Sequence, residues 1–304
     1  MHQAVGMYFN VNRGDIVENA QYVGELLASH HVEAYVCDKL LAACAGVRFL
    51  PEKEFLDTVT MMVVIGGDGT FLRAANLVRD AKIPLIGINR GNLGFLTELE
   101  LDEFKGKLPR LIAGDYVIEE RMTICAELYR DGSFIQRAVG LNDVTVNRNP
   151  LENTLEMDVY LRSQLIDSYQ GDGLIVATPT GSTGYAMSAG GPLIYPGTDC
   201  FIVNPICPHV LGTNSTIVPT EGIIDIHLTH SYQDGYLFAD GRMISNICQG
   251  DTVRVYKAET PTKIIQIEEH QFFEIVRNKL LNRKYRRMHH KEESYEKQKT
   301  ETYS

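Results

Sequence analysis

The sequence has 304 residues, a hydrophobic fraction of 44%, a charged fraction of 22% and a formal net charge of −10 at pH 7. These values are typical of a globular protein with one large or two smaller domains, and the acidic balance argues against nucleic acid as the main partner. No apolar run approaches the roughly 20 residues of a membrane helix, and the N-terminus lacks a signal-peptide pattern, so we expect a cytoplasmic protein with no membrane partner.

Strand and helix patterns alternate over the first 115 residues. Apolar runs predict strands at 4–9, 32–37, 61–65 and 84–88. Apolar residues at helical spacing predict helices over 16–30, from Thr70 onward, and over 102–112. We expect Pro109 to interrupt the last helix, because proline removes a hydrogen bond from a helix interior. This alternation predicts a doubly wound α/β domain with a parallel sheet over residues 1–115.

From about residue 116 the pattern changes to strands separated by turn residues. The predicted strands are 116–128, 134–147, 155–161, 173–177, 201–206, 223–229, 252–256 and 263–267. They indicate a second, mostly antiparallel β-sandwich-type domain over residues 116–265.

The C-terminal part of the chain is predicted to become helical again. Phe272, Phe273, Val276 and Leu280 form an apolar stripe, so we expect this helix to pack back on the first domain, which would then comprise residues 1–115 plus about 266–283. Residues 284–304 are basic and polar without an apolar face, and they are predicted to be a disordered tail.

The chain is organised around a buried strand, a glycine turn and a helix. The turn is Gly66-Gly67-Asp68-Gly69-Thr70. Backbone amides and the positive end of a helix dipole bind phosphate in such a geometry. Asp68 either only caps the helix or directs its carboxylate at a hydroxyl that attacks a phosphate. The sequence contains neither a Walker A motif nor G-x-G-x-x-G.

Two further stretches carry residues that suit polar ligands. Residues 178–192 are dense in small and hydroxyl-bearing residues, which let a backbone approach a ligand, and Tyr185 offers a flat face for a base. The alternative is an ordinary polar loop, which would not need this composition. Asn142-Asp143 is either a bulge in a β domain or an amide and carboxylate pair that holds the two hydroxyls of a ribose, and the residues alone leave both open.

The ordered set of these motifs resembles the NAD kinase family over residues 60–280. The glycine turn alone is shared with phosphofructokinases and with diacylglycerol and sphingosine kinases. The motifs that distinguish NAD kinases from these are residues 89–97, Asn142-Asp143, residues 171–192, residues 204–209 and Asp240-Gly241. The resemblance implies that the first domain is phosphofructokinase-like.

The resemblance implies transfer of a phosphoryl group from ATP or polyphosphate to the 2′-hydroxyl of the adenosine ribose of NAD, giving NADP. Asp68 would be the catalytic residue, and a divalent metal ion, magnesium, would neutralise charge. The residues implied to bind ATP or NAD are Gly66, Gly67, Gly69, Thr70, Arg73, Phe95, Asn142, Asp143, Asn153, Asp172, Thr180, Thr183, Gly184, Tyr185, Ser188 and Arg242. The family's habit also implies a homodimer or homotetramer.

Two positions depart from the family pattern. Asp143 stands where the family often has Glu, and Arg242 stands where it usually has Gln. An arginine near the dinucleotide would favour a phosphate, so the preference for substrate or product stays open at this position. Two rival functions remain, a lipid or sugar kinase and a dinucleotide sensor that signals through the basic tail.

The six cysteines show neither a CxxC pair nor a zinc-binding spacing with histidine. They lie at positions 37, 44, 125, 200, 207 and 248. We therefore expect free thiols in a reducing compartment and no metal site made by protein residues.

Overall fold

The computed structural model describes residues 4–10, 16–89, 94–150, 154–210, 212–230, 235–268 and 272–279. These residues form three β-sheets: one of eight strands with helices on both faces, and two of six strands each. The helices are α1 (Ile16–Ser29), α2 (Glu52–Thr58), α3 (Asp68–Val78), α4 (Leu101–Ala113), α5 (Tyr185–Ser188) and α6 (272–279). The predicted binding residue Asn153 and the predicted tail 284–304 lie outside the described residues.

The first sheet is mainly parallel. Its strands are β1 (Ala4–Phe9), β2 (Glu33–Val36), β3 (Val47–Phe49), β4 (Met61–Ile65), β5 (Leu85–Asn89), β6 (Leu99–Glu100), β7 (Val117–Arg121) and β20 (Thr262–Gln266). They lie in the order β3-β2-β1-β4-β5-β20-β7, and β6 pairs with β5. The predicted doubly wound α/β domain is confirmed.

Strand β4 explains why the sheet is covered on both faces. Met61, Val63 and Ile65 point into a core that includes residues of α1 and α4. Met62 and Val64 point the other way, into a core with Phe55 of α2 and Phe71 of α3. A strand that is buried on both sides needs no polar alternation, which is why this segment is a continuous apolar run.

Strands β7 and β20 belong to the first sheet, although the sequence assigned residues 116–265 to the second domain. β20 pairs in parallel with β5 through Ile264 and Leu85, and its other side pairs antiparallel with β7. The apolar pattern of a strand shows that it pairs but not with which sheet, so the sequence placed these strands wrongly. The chain therefore leaves and re-enters the first sheet by two adjacent strands.

Helix α4 runs through Pro109, contrary to the expected interruption. The amide of Glu100 donates to the Glu103 carboxylate (3.0 Å), which closes the N-terminal turn. Phe104, Leu108 and Leu111 are buried in the core. Pro109 has no amide hydrogen to donate to the carbonyl of Lys105, and Lys105 is exposed. Packing of the buried face thus outweighs the missing bond.

The other two sheets pack face to face as the predicted β-sandwich. Their strands are β8 (Ile124–Arg130), β9 (Ser133–Gly140), β10 (Asp143–Asn147), β11 (Leu155–Leu161), β12 (Gln164–Gly171), β13 (Gly173–Ala177), β14 (Cys200–Ile206), β15 (Thr216–Pro219), β16 (Ile224–His230), β17 (Gly235–Ala239), β18 (Arg242–Ile247) and β19 (Thr252–Lys257). The sheet orders are β15-β14-β13-β10-β17-β18 and β12-β11-β16-β19-β8-β9. Inward-facing residues of both sheets form one apolar core.

The C-terminal helix α6 contacts both halves of the molecule. Lys279 reaches Asp68 and the Phe95 ring of the first domain. Phe272 and Phe273 contact the ring of Tyr195, which follows β13 of the sandwich. The prediction that this helix packs on the first domain is confirmed, and the contact with Tyr195 makes it a bridge.

Candidate active site

The glycine turn places three small residues at the carboxyl end of β4. The helix α3 begins at Asp68, two residues earlier than predicted, with Gly67 as its N-cap. A Cβ on Gly66 would lie 2.6 Å from Thr70 Oγ1, whereas a Cβ on Gly67 or Gly69 would meet no atom within 4 Å. Gly66 is therefore required for packing, and the space beside Gly67 and Gly69 is open. The first amides of a helix lack partners within it, so they face this space.

The Asp68 carboxylate is fixed by backbone amides from the segment after β5. Phe95 donates to Oδ2 and Leu96 donates to Oδ1, both at 3.0 Å. A Cβ on Gly94 would overlap Asp68 Oδ1, so this close approach requires glycine there. The side chain of Asp68 is 33% exposed. It is thus oriented by the protein and open to solvent, as a residue that acts on a bound substrate must be.

Lys279 of α6 is a site residue that the sequence did not indicate. Its Nζ lies 3.7 Å from Asp68 Oδ2 and 4.1 Å from the centroid of the Phe95 ring. It is 211 positions from Asp68 in sequence, so no local motif connects the two residues. The concentration of Lys and Arg in the C-terminal segment was visible in the sequence. Only the docking of α6 shows that Lys279 lies at Asp68.

Asn142 and Asp143 are anchored to the first domain by the residue before them. Leu141 is 3% exposed and lies in the same core cluster as Phe71 of α3 and Leu96. The amide of Leu96 donates to the Asp68 carboxylate, and Phe71 lies on the helix that begins at Asp68. The predicted ribose-binding pair is therefore attached to the same packed unit as Asp68, although 74 positions separate Asp68 from Asn142.

Asp240 organises the backbone on which Asn142 and Asp143 lie. Its carboxylate accepts from the amides of Leu141 (2.7 Å), Asn142 (2.7 Å) and Asp143 (3.2 Å). A Cβ on Gly140 would lie 2.8 Å from Asp240 Oδ1. Asp240 was noted in the sequence only as part of a motif. The structure gives it a definite task, which is to shape the 140–143 turn.

The side chains of Asn142 and Asp143 present buried polar atoms at this turn. Asn142 Oδ1 is buried without a hydrogen-bond partner among the described residues. Asp143 is 5% exposed, and burial first and the Asp240 carboxylate second raise its pKa to about 7. Burial also raises the pKa of Asp240, against the opposing effect of the three amides. An unpaired acceptor beside a carboxyl group is suited to a ligand that brings hydroxyl donors.

The residues 178–188 fold over the same turn. A Cβ on Gly181 would overlap the Asn142 carbonyl oxygen, and one on Gly184 would lie 3.3 Å from Asn142 Nδ2 and 4.0 Å from Asp143 Oδ2. The Thr178 hydroxyl donates to the Leu141 carbonyl at 2.7 Å. Small residues thus permit the close approach that the sequence predicted for this loop.

The other predicted residues of this loop differ in exposure. Thr180 is buried and its hydroxyl lies 3.4 Å from Nη1 of the buried Arg121, and Thr183 donates to the Thr180 carbonyl at 3.1 Å. Tyr185 is 44% exposed, and Ser188 is exposed at the end of α5. Burial raises the pKa of Tyr185, with smaller effects from Cys207, Asp172 and Asp143. Tyr185 therefore faces solvent.

The remaining predicted residues lie at the margins of this arrangement. Asp172 is held by Arg148, whose Nε lies 2.6 Å from Asp172 Oδ1. Arg73 lies on the exposed side of α3. Arg242 does not join the cluster around Asp143: its Nη2 donates to Asn76 Oδ1 of α3 at 2.9 Å.

Two absences are confined to the part of the chain that the structure describes. There, no group of three or more His, Cys, Asp or Glu side chains is arranged to hold a metal ion, and no helix combines the length and hydrophobicity of a bilayer crossing. The six cysteines are free thiols, as the sequence predicted.

Two family models match the chain in the order of its two halves. The ATP-NAD kinase N-terminal domain matches residues 16–116, and the ATP-NAD kinase C-terminal domain matches residues 141–267. The chain is 38% identical over 278 residues to an NAD kinase from Moorella thermoacetica, covering 91% of this chain and 89% of the relative. It is 40% identical over 220 residues to one from Geotalea daltonii, covering 72% and 78%.

Solved structures with low sequence identity share the fold. Yeast NADH kinase complexed with NADH has a TM-score of 0.83 at 21% identity, covering 92% of this chain and 88% of that chain. An NAD kinase from Archaeoglobus fulgidus in complex with ATP has a TM-score of 0.70 at 24% identity, covering 90% and 96%. The whole two-part architecture is thus shared, and not one domain alone.

Proposed function

The chain belongs to the NAD kinase family, and from that premise we propose how its residues carry out the transfer of a phosphoryl group from ATP to NAD. The acceptor is the 2′-hydroxyl of the adenosine ribose, and the product is NADP. The observation that carries the assignment is the Asp68 carboxylate, held by two amides at the open end of α3 and packed in one unit with the Asn142-Asp143 turn.

Asp68 takes or orients the proton of the attacking hydroxyl. Phosphoryl transfer depends mainly on positioning and charge stabilisation, so a fixed carboxylate within hydrogen-bond reach of the hydroxyl suffices. The open space beside Gly67 and Gly69 accommodates the donor phosphates against the first amides of α3. These contacts place the donor against the α/β domain, so the ribose must be held by residues of the sandwich.

Asn142 and Asp143 hold the ribose of NAD. The buried acceptor of Asn142 receives one hydroxyl donor, and Asp143 interacts with a second. Tyr185, Asp172, Thr183 and Ser188 line the path of the rest of the dinucleotide, with Tyr185 offering an exposed ring to a base. The division into a donor domain and an NAD-binding domain is part of this proposal, with β7 and β20 counted in the donor domain.

The donor phosphates would bring a magnesium ion to the end of α3, beside Asp68. Mg²⁺ commonly binds substrate phosphates and only one or two carboxylates, and the described residues offer Asp68 at the phosphate turn without a larger acidic cluster. When bound there it neutralises charge on the transferred group. The cytoplasmic location, supported by the free thiols, and the homodimer or homotetramer stay predictions.

The test is conversion of NAD to NADP by the purified chain with magnesium and ATP. Asp68→Asn retains the shape of the side chain and one acceptor for the amides of Phe95 and Leu96, so we expect a folded protein. Its kcat should fall by roughly 10²- to 10⁴-fold, because proton transfer is lost, while KM for NAD changes little. NADP formation by Asp68→Asn at the wild-type rate would refute the role of Asp68.

A second measurement separates the rival kinases. Diacylglycerol and fructose 6-phosphate, offered in place of NAD, should not stimulate ATP consumption. If either does so while NAD gives no NADP, the acceptor assignment is wrong.

A further inference from the structure

Glu98 lies two residues after the second of the amides that hold Asp68, and the proposed mechanism does not use it. Its Oε1 accepts from the amides of Ile267 (2.6 Å) and Glu268 (2.9 Å). Its Oε2 is buried and has no hydrogen-bond partner among the described residues. Burial raises the pKa of Glu98, against the opposing effect of the two amides. A buried carboxylate oxygen without a donor costs folding free energy, so stability alone does not account for this residue.

Residues 94–98 form one fixed segment against strand β5. The amide of Glu98 donates to the carbonyl of Gly87 at 2.9 Å. A Cβ on Gly87 would lie 2.7 Å from the Leu96 carbonyl oxygen, so the segment lies directly on the strand. The middle of the segment supplies both amides that hold the Asp68 carboxylate. The segment that orients Asp68 is thus the one that carries Glu98.

The two amides that Glu98 holds come shortly before helix α6. Three residues separate Glu268 from Phe272, where the described part of the helix begins. At the other end of the helix, Lys279 Nζ lies 3.7 Å from Asp68 Oδ2. The contacts therefore run from Asp68 through Glu98 and α6 back to Asp68.

Two other contacts lie at the start of α6. The Phe272 ring packs against Tyr195, which attaches the helix to the sandwich. The Glu268 side chain pairs with Lys107 of α4, but the pair is partly exposed, and such pairs contribute little. Hydrogen bonds from main-chain amides to a carboxylate are stronger and directional, so Glu98 sets the direction in which the chain enters α6.

We propose that Glu98 is a positioning residue for phosphoryl transfer: it holds the start of α6 against the segment that orients Asp68, so that Lys279 lies at the glycine turn. This inference rests on the proposed function, because a cation at that turn is useful only if a phosphoryl group is transferred there. Glu98 acts on neither substrate directly. Its effect on the rate passes through the position of Lys279.

The first test compares two replacements of similar size. Glu98→Leu removes both oxygens and releases the amides, and it should lower kcat by roughly 10- to 100-fold, as expected when a cation is displaced from the transferred group. Glu98→Gln retains a carbonyl that accepts from the amides, so its kcat should stay within about threefold of wild type. KM for NAD should change by less than about twofold in both, because the ribose-binding turn is not altered. An equal loss of kcat in both variants would mean that the charge of Glu98 acts by itself, and would overturn the proposal.

A double variant tests whether the effect passes through Lys279. Glu98→Leu combined with Lys279→Met should have a kcat within about twofold of that of Lys279→Met alone, because a displaced lysine and an absent one are equivalent. Losses that multiply would show that Glu98 acts independently of Lys279 and would contradict the proposal. The matched control is Lys107→Met, which breaks the side-chain pair with Glu268 and leaves both amide bonds, so kcat should change by less than about twofold.

Hydrogen–deuterium exchange separates positioning from a general loss of stability. In Glu98→Leu the amides of residues 272–279 should exchange faster than in wild type, whereas those of residues 61–78 should keep their wild-type rates. Faster exchange in both ranges would mean that Glu98 serves only the stability of the fold.

A milder variant covers the case in which Glu98→Leu does not fold. Glu98→Asp keeps the charge but withdraws the carboxylate by one methylene group, so it cannot hold both amides. Its kcat should fall and its exchange over residues 272–279 should rise. Wild-type values of both would refute the proposal.

The two proposals fail in different ways. If wild-type protein forms no NADP from NAD and ATP, the proposed function is wrong. If it forms NADP and folded Glu98→Leu keeps the wild-type kcat, Glu98 has no positioning role and the proposed function stands.

Discussion

Asp143 and Asp240 bring two carboxyl groups into one buried turn. Asp240 accepts three amide hydrogen bonds. Asp143 has no comparable donors among the described residues, and its pKa is raised to about 7. Two neighbouring buried carboxylates are costly to ionise together, and hydrogen bonding decides which one keeps its charge. We infer that Asp240 stays charged as the support of the turn and that Asp143 takes up the proton.

This inference predicts a pH-dependent stability. In the unfolded chain Asp143 titrates at the ordinary value of about 3.9, so between that value and about 7 the folded chain retains a proton that the unfolded chain releases. The free energy of unfolding contributed by this group therefore falls as pH rises through that window. Asp143→Asn removes the titration, so the Tm of wild type relative to the variant should decrease between pH 5 and pH 8.

The measurement is thermal unfolding without ligands at pH 5, 6, 7 and 8. Asp131→Asn, in the exposed turn between β8 and β9, controls for a generic change of charge. A difference between wild type and Asp143→Asn that is constant over these pH values would contradict the titration of Asp143.

Residues within one motif could be predicted, and residues that act across the chain could not. The small residues around Asp68 and the Thr178 loop are visible because the backbone itself must approach a ligand or a side chain there. Asp240 appeared in the sequence only as part of a motif, because its three amide partners lie about 100 positions earlier. Arg242 was placed near the dinucleotide, and its contact with Asn76 could not be read from its neighbours in sequence.

At the scale of whole elements, α3 and β4 were predictable because each carries its complete pattern locally. The continuous apolar run of β4 and the helical spacing after it define both elements. The residues of β7 were predicted only as part of one longer strand over 116–128, and β20 was predicted as a strand, but both were assigned to the wrong sheet. The strands with which they pair are distant in sequence, and the choice of partner leaves no periodic pattern in the sequence.

The helix α6 supports a prediction about catalysis. Lys279 lies 3.7 Å from Asp68 and above Phe95, at the end of the turn where donor phosphates are proposed to lie. A fixed cation at the transferred group stabilises its developing charge. Lys279→Met should lower kcat by roughly 10²-fold, with KM for NAD within about twofold, and Lys279→Arg should restore part of the rate.

The matched control is Arg277→Met, because Arg277 is a basic residue on the exposed side of the same helix. It should change kcat less than twofold. An equal loss in both variants would mean that α6 acts only through its packing, and an increased kcat in Lys279→Met would mean that the lysine restrains Asp68.

At the scale of the whole molecule, the sandwich is joined to the α/β domain by the bridge of α6 and, among other contacts of the described residues, by three side-chain contacts. Leu141 packs against Phe71, Arg121 of β7 reaches Thr180, and Arg242 donates to Asn76. Two of the three end on α3, the helix that begins at Asp68. These two contacts therefore help to fix the position of the Asn142-Asp143 turn relative to the Asp68 carboxylate through this helix.

The contact between Arg242 and Asn76 can be isolated by a double-mutant cycle. Arg242→Gln introduces the residue usual in the family, and Asn76→Ala removes the acceptor. Each should lower the free energy of unfolding in urea by about 1 kcal/mol, and the double variant should lose less than the sum, because both remove one bond. Asn76 also accepts from Arg79 at 3.1 Å, so its single effect should be the larger one.

The same cycle distinguishes a connection between domains from a contact with the dinucleotide. If Arg242 acts through Asn76, Arg242→Gln and Asn76→Ala should shift KM for NAD in the same direction and by less than threefold. If Arg242 instead binds the dinucleotide, only Arg242→Gln should change the affinity for NADP, measured by titration. The second outcome would return Arg242 to the ligand-binding set and remove it from the connection through α3.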